Sequence, residues 1–313
     1  MKLTANGVKI LGSGSAISEK RVSNIDLRPE TAEWVESRLG ILERRHIGHK
    51  EVLIDLIVNA AEKAIANSGI NVSDLDAIII ATSTPDMINP SMASLLHGQL
   101  GADMKCASFD IQAVCAGFIY GLANVASLIS SKAGKYFLLV GADQFSKITD
   151  FDHRDCVFFG DAAGAMVIEA TEGDSFLSVE INSEGTGWKS FHTPKNTATF
   201  DMTASEVAKS ATTKLPISIK SICDYAKIAV SDISLFVTHQ PSKPVLDSLE
   251  KELGILPEKL LRNLEFRGNT AGATIPLLFD ELNVNKLVTQ GNYLCFSAIG
   301  AGWVWGSAIL KWE

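Results

Sequence analysis

Phe109–Gly121 reads FDIQAVCAGFIYG, and this stretch decides the fold. Ser108–Val114 has the apolar character of a short strand. Ala116–Ser130 places Phe118, Leu122, Val125, Ala126 and Ile129 at helical spacing. Cys115 stands where strand becomes helix. A thiol at a helix N-terminus faces unpaired backbone N–H groups and the positive end of the helix dipole. Both favour the thiolate, which is the nucleophilic form, so an ionised Cys115 is expected. Gly117 and Gly121 leave room for a neighbouring segment or a ligand. A lone cysteine in an apolar stretch is also commonly a core residue, so the rest of the chain must decide between the two.

Working outward, Ala77–Thr82 (AIIIAT) and Tyr136–Ala142 (YFLLVGA) are uninterrupted apolar runs, as in strands buried on both faces. Helices are expected at Glu30–Arg38, ended by Gly40, at Val52–Ser68, ended by Gly69, and at Ser91–Leu100. Gly7–Ser15 reads as a strand running into a Gly/Ser turn. Position 17 is Ile rather than the third glycine of a dinucleotide loop, which removes that reading. Gln144–Val157 is a polar loop carrying Arg154. Gly160–Ala170 is a Gly/Ala-rich strand that suggests close sheet or subunit packing. Thr171–Thr203 reads as a polar connector, and Ser205–Ala229 as a helix interrupted near Pro216.

The second half repeats the first. Val72–Thr82 (VSDLDAIIIAT) is echoed by Val230–Gln240 (VSDISLFVTHQ), Ala116–Leu122 by Ala271–Leu277, and Gly160–Ile168 by Gly302–Leu310. Three echoes in the same order argue for two copies of one βα unit, 1–171 and 172–313, facing each other across a shared site. The second copy then supplies His239 at the end of an apolar strand, where α/β proteins place ligand groups. It also supplies Asn269 in the Gly-flanked turn RGNTAGAT, and Gly300, Ala301 and Gly302, whose backbone N–H groups suit an oxyanion hole. Taken singly, His239 reads equally as a structural histidine, and Asn269 as a turn or cap residue. Trp34 and Arg38, four apart, offer a flat aromatic and a cation for an adenine or a phosphate, or else a core Trp beside a solvated Arg.

Composition bounds the function. The 313 residues can bury a large core, and 46% apolar with 20% charged residues is ordinary for a globular enzyme. A net charge of −8 gives no general attraction to nucleic acid or to an anionic membrane. Five scattered cysteines without a CxxC argue against a disulfide framework or zinc site and for a reducing cytoplasm. MKLTANGVKILGSGS lacks the apolar run of a leader peptide, and no apolar stretch is long enough to span a membrane.

DIQAVCAGFIYGL, LLVGAD, FFGDAAGAMVI, THQ, RGNTAGATIP and GAGWVWGSAIL, in this order, resemble the β-ketoacyl-acyl carrier protein synthase III family of the thiolase superfamily. The resemblance covers nearly the whole chain. It implies an α/β, thiolase-like five-layer αβαβα fold from two duplicated halves, and a homodimer. It also implies a Cys-His-Asn site falling on Cys115, His239 and Asn269, with oxyanion donors at the backbone of Cys115 and Ala301. Trp34 and Arg154 would hold the adenine of CoA and Arg38 its phosphates. Met87, Ile88 and Asn89 would border the acyl pocket. Lys243 and Lys251 would keep some positive charge for docking an acyl carrier protein, where Pro244 replaces the family's Arg. Asn89 replaces a frequent aromatic and Ala301 a usual Gly.

The implied chemistry is a decarboxylating Claisen condensation. Cys115 takes an acyl group from acyl-CoA, and a malonyl thioester then loses CO₂ and attacks the acyl-enzyme. CoA thioesters are substrates, and neither metal nor redox cofactor is implied. Three alternatives remain. One is acyl transfer from the same Cys to a non-malonyl acceptor. Another is a Cys hydrolase, for which Ala113–Gly117 lacks one glycine of a nucleophile elbow. The third is a non-catalytic scaffold.

Overall fold

The computed structural model describes residues 1–194 and 198–313. Part of the Thr171–Thr203 connector, 195–197, lies outside the described residues. Ten strands make two five-stranded sheets. In chain order these are β1 (Lys2–Asn6), β2 (Val8–Ala16), β3 (Ala77–Ala81), β4 (Ala107–Ile111) and β5 (Tyr136–Asp143). Then come β6 (Ala162–Ala170), β7 (Phe176–Ser183), β8 (Ile233–Thr238), β9 (Tyr293–Gly300) and β10 (Val304–Lys311).

The first sheet runs β2-β6-β5-β3-β4 and the second β1-β7-β10-β9-β8. Strands β3, β4 and β5 are mutually parallel, as are β8 and β9. The AIIIA and YFLLVGAD runs form interior strands, and β3 is buried along its whole length. Helices α1 (Leu53–Ser68) and α2 (Met92–Leu100) cover the outer face of the first sheet. Helix α3 (Gly117–Ser130) lies between the sheets, α4 (Ala204–Ala226) covers the outer face of the second with α5 (Lys243–Leu253) beside it, and α6 (Thr274–Glu281) joins α3 in the middle. The result is the five-layer αβαβα, thiolase-like α/β fold.

The repeat is visible in backbone detail. Val72–Asp74 and Val230–Asp232 each form one 3₁₀ turn ahead of β3 and β8. Val114 and Ala271 share a positive φ, 46° and 47°, and open the 3₁₀ turns that lead into α3 and α6. This pairs Val114 with Ala271 and Cys115 with Gly272. The Ala116/Ala271 register read from the sequence is therefore two residues off, because the shared Ala-Gly text outweighed the backbone it encodes. Among the described residues the second sheet has only an isolated bridge, Phe236–Leu260, on the far side of β8, where the first sheet carries β4.

Other expectations change. The strand expected over Ser108–Val114 ends at Ile111, because Val114–Ala116 already turns. Residues 29–39 are helical but irregular, mixing 3₁₀, α and π turns before Gly40. The long helix spans Ala204–Ala226 and runs through Pro216 without a break. The polar connector contains β7, whose FLSVEINS pattern alternates weakly, and β1 crosses from the N-terminal half to pair with it. Among the described residues no helix is long and apolar enough to cross a membrane.

Side-chain caps fix the loop ends near the site. Asp110 of β4 accepts from the backbone of Met92 and Ala93 (2.7 and 2.8 Å), so the edge strand caps α2. Asp86 accepts from Leu53 and Ile54 at the start of α1. The Gly/Ala run of β6 serves packing within the chain. A Cβ on Gly164 would stand 2.5 Å from the Leu277 nitrogen of α6, and one on Gly12 of β2 would stand 2.5 Å from Ala64 O of α1. Because the obstacles are backbone, Gly164→Ala is expected to destabilise by about 1–3 kcal/mol, read as a lower urea midpoint. An unchanged midpoint would contradict this packing.

Candidate active site

Cys115 is buried at the foot of α3. The turn before it bends at Val114, a β-branched residue at φ 46°, a strained conformation that the surroundings must hold. Gly300 supports it: a Cβ there would stand 2.9 Å from the Cys115 nitrogen and 3.0 Å from Ala113 O. Neither the N–H of Cys115 nor that of Ala301 is taken by another backbone carbonyl among the described residues.

The other lobe contributes two side chains. His239 follows directly on β8, with its N–H donated to Ser297 O at 2.8 Å. Asn269 is clamped by its backbone: its N–H donates to Phe158 O (2.9 Å), and its carbonyl accepts from Gly160 N (3.0 Å). The Ala271 N–H donates to Asn269 Oδ1 at 2.9 Å, which fixes the amide's orientation. His239 Nε2 lies 3.0 Å from the same oxygen. That oxygen can only accept, so Nε2 carries the proton and Asn269 Nδ2 is left as a donor. His239 Nδ1 is buried without a hydrogen bond among the described residues.

Burial sets the charge states. It pulls His239 down to about 4, against a smaller upward effect of the Asn269 hydrogen bond, so the imidazole is neutral at physiological pH. Burial pushes the Cys115 thiol well above its ordinary range. The carboxylate of Asp143 adds to this, and the residue's own backbone N–H acts weakly the other way. The expected standing thiolate is therefore not what the fold provides. Desolvation of the anion outweighs the helix terminus, and the resting group is the thiol.

One cavity of about 270 Å³ brings Cys115, His239 and Asn269 together with Trp34, Arg154, Gly300 and Ala301. The Arg154 guanidinium lies 5.3 Å from the Trp34 ring centroid, so these two form a cation–π pair on the more exposed lining. Apolar walls come from Phe159, Phe191, Met202 and Trp303, and from Ala204, Ala208 and Ala211 on one face of α4. Sequence reading missed those wall residues. The Ala spacing on α4 was the available signal, but the helix was read without a partner face.

Not every expected residue reaches the cavity. Arg38 lies outside its lining. Met87, Ile88 and Asn89 also lie outside it, and Ile88 is 86% exposed, because Asp86 ties their loop to the start of α1. Within this chain the apolar wall of the cavity comes from the phenylalanines, Met202, Trp303 and α4. Lys243 Nζ is held by Asp247 at 2.5 Å, and exposed Lys251 sits between Glu250 and Glu252, so the basic character expected on α5 is largely offset. Among the described residues no group of three or more His, Cys, Asp or Glu is arranged to hold a metal ion.

Comparison with known proteins gives the same outline. The family model described as 3-oxoacyl-[acyl-carrier-protein (ACP)] synthase III matches residues 109–185, and the model for its C-terminal part matches 223–312. A β-ketoacyl-[acyl-carrier-protein] synthase III from Rickettsia massiliae is 38% identical over 97% of this chain and 99% of its own length. Another from Clostridium acetobutylicum is 36% identical over 98% and 99%. The crystal structure of 3-oxoacyl-[acyl-carrier-protein] synthase III from Aquifex aeolicus VF5 superposes with a TM-score of 0.93 at 33% identity, covering 98% of this chain and 100% of that one.

Because its folded pKa is depressed, His239 should stay neutral with its proton on Nε2 from about pH 5.5 to pH 8. Imidazole ¹⁵N shifts check this. A ring that titrates near its ordinary value, or carries its proton on Nδ1, would contradict the hydrogen-bond assignment. The sign for stability follows: His239 favours the fold above its unfolded pKa of 6.5, and that contribution is lost as pH falls toward about 4.

Proposed function

The chain belongs to the 3-oxoacyl-[acyl-carrier-protein] synthase III family, and we propose that it joins an acyl-CoA primer to a malonyl thioester on acyl carrier protein by decarboxylating Claisen condensation. The observation that carries this reading is the convergence of Cys115 from one lobe with His239 and Asn269 from the other on a single cavity.

The Cys115 sulfur attacks the acyl thioester, and the thiol proton leaves with CoA as its thiol, so acyl-Cys115 forms without net charge change. The N–H groups of Cys115 and Ala301 receive the tetrahedral oxyanion. A malonyl thioester then loses CO₂, and negative charge collects on its carbonyl oxygen. That oxygen competes with Asn269 Oδ1 for the His239 Nε2 proton and meets Asn269 Nδ2–H beside it. Each such donor is worth roughly 2.7–4 kcal/mol where oxyanion donors have been deleted. A neutral imidazole suits this role because it donates without giving its proton away. The carbanion attacks acyl-Cys115, and collapse of the adduct releases the 3-oxoacyl thioester and the Cys115 thiolate, which takes up one proton from solvent to return to the resting thiol.

Trp34 and Arg154 are assigned to the adenine end of CoA, and Arg38, outside the cavity, to its phosphates. Phe159, Phe191 and Met202 are assigned to the acyl group. Lys243 and Lys251 are the basic groups left on α5 for an acidic carrier. A homodimer fits β4, whose outer edge pairs with no strand in either sheet among the described residues and which caps the helix next to the Met87–Asn89 loop. A reducing cytoplasm fits five unpaired cysteines.

Incubation with acyl-CoA should add one acyl mass to the chain, lost in Cys115→Ala. Adding malonyl thioester should release CO₂ and a 3-oxo product, about 10²-fold more slowly in Asn269→Ala. An acyl adduct without CO₂ release would favour transfer to another acceptor, and no adduct would leave the fold as a scaffold. Trp34→Ala and Arg154→Ala should each raise KM for acyl-CoA about tenfold with little change in kcat, checked by initial rates. Unchanged KM would remove them from CoA binding.

A further inference from the structure

Asp143 ends β5 and is fully buried, outside the lining of the cavity that holds Cys115. Its Oδ1 accepts from the Ser83 N–H and hydroxyl, both at 2.8 Å, and from the Thr84 hydroxyl at 3.0 Å. Its Oδ2 accepts from the Gly272 N–H at 2.9 Å. Gly272 belongs to the same turn as Asn269 and Ala271, and it is the residue that repeats Cys115 in the second lobe. A Cβ on Gly272 would come within 2.8 Å of Asp143 Oδ2 and 3.4 Å of Val114 O, so the two turns meet across this carboxylate. A buried carboxylate is costly unless its lone pairs are filled, and here donors from both lobes fill them.

We propose that Asp143 is a positioning residue that joins the lobes: through Gly272 it holds the Asn269 turn in register with the Cys115 turn, so that the Asn269 carboxamide faces the thioester. The role rests on the Cys-His-Asn reading above. Neutral donors, Ser83, Thr84 and Gly272, bond its oxygens, and the titratable group it acts on is the Cys115 thiol, whose ionisation it opposes. Asparagine cannot replace it silently, since an NH₂ would face either the Ser83 or the Gly272 N–H.

The test separates the two half-reactions. In Asp143→Asn, acyl adduct formation on Cys115 is expected to fall by no more than about threefold, and to rise where sulfur ionisation limits it. CO₂ release from the malonyl thioester, which needs Asn269, should fall about tenfold or more, through kcat rather than KM. Alkylation of Cys115 by iodoacetamide near pH 8 should become roughly tenfold faster once the neighbouring charge is gone. Equal losses in both half-reactions, with unchanged alkylation, would mark a merely structural residue and overturn the proposal. If that variant does not fold, Ser83→Ala removes one donor and keeps the charge. It should show the same split between half-reactions, smaller in size, and no split would overturn the proposal. A wild-type chain that forms no adduct would sink the condensing reading itself; a wild-type adduct without a split in the variants sinks Asp143 alone.

Discussion

Two strand-to-helix turns, one from each lobe, must come close enough to meet across a single side chain, the carboxylate of Asp143. Gly141 stands against the carbonyl of Gly272, Gly272 against Asp143, and Gly300 against the nitrogen of Cys115. Any Cβ at these places would push the lobes apart by more than a hydrogen bond tolerates. The close approach lets a sulfur from one lobe share a cavity with an imidazole and a carboxamide from the other. It also leaves the Cys115 N–H without a backbone acceptor among the described residues.

Closeness has an electrostatic consequence. A dry junction keeps His239 neutral and Cys115 protonated, and it charges a desolvation cost for every ion placed there. The fold therefore does not store a thiolate. It stores oriented neutral donors, which strengthen when charge develops on a substrate oxygen and cost little before that. Catalysis on this account begins with substrate entering, because only then is there a partner for the charge that chemistry creates.

Much of this was legible in the sequence, and what was not has identifiable causes. The interior strands were readable from long apolar runs, whereas the αβαβα layering and the Cys-His-Asn set followed from the family resemblance carried by motifs such as DIQAVCAGFIYGL and RGNTAGATIP, since local signals alone leave His239 and Asn269 open to structural readings. The strand Phe176–Ser183 alternates apolar and polar residues, but the Ser/Gly/Thr-rich composition around it outweighs that short signal. Pro216 did not break its helix, although the sequence pointed to an interruption there. The thiolate expectation failed because a helix terminus is visible in sequence, whereas the burial that opposes it is a tertiary property. The Met87–Asn89 loop lies outside this chain's cavity lining because Asp86 anchors it to a helix 33 residues earlier in the chain, a long-range tie that no local signal shows. Asp143, at the end of LLVGAD, carries no local signal because its donors come from two other segments.

The claim beneath all of this is geometric: one thioester is held between the lobes, its sulfur carried by the Cys115 turn of one and its oxygen received by backbone N–H groups from both. A crystal structure of the acyl-enzyme tests that most directly. The account predicts acyl-Cys115 with its carbonyl oxygen within hydrogen-bond distance of the Cys115 and Ala301 N–H groups, and with His239 Nε2 and Asn269 Nδ2 facing the opposite side of the same cavity. An acyl oxygen turned away from both backbone donors, or an acyl group carried on any other residue, would contradict it.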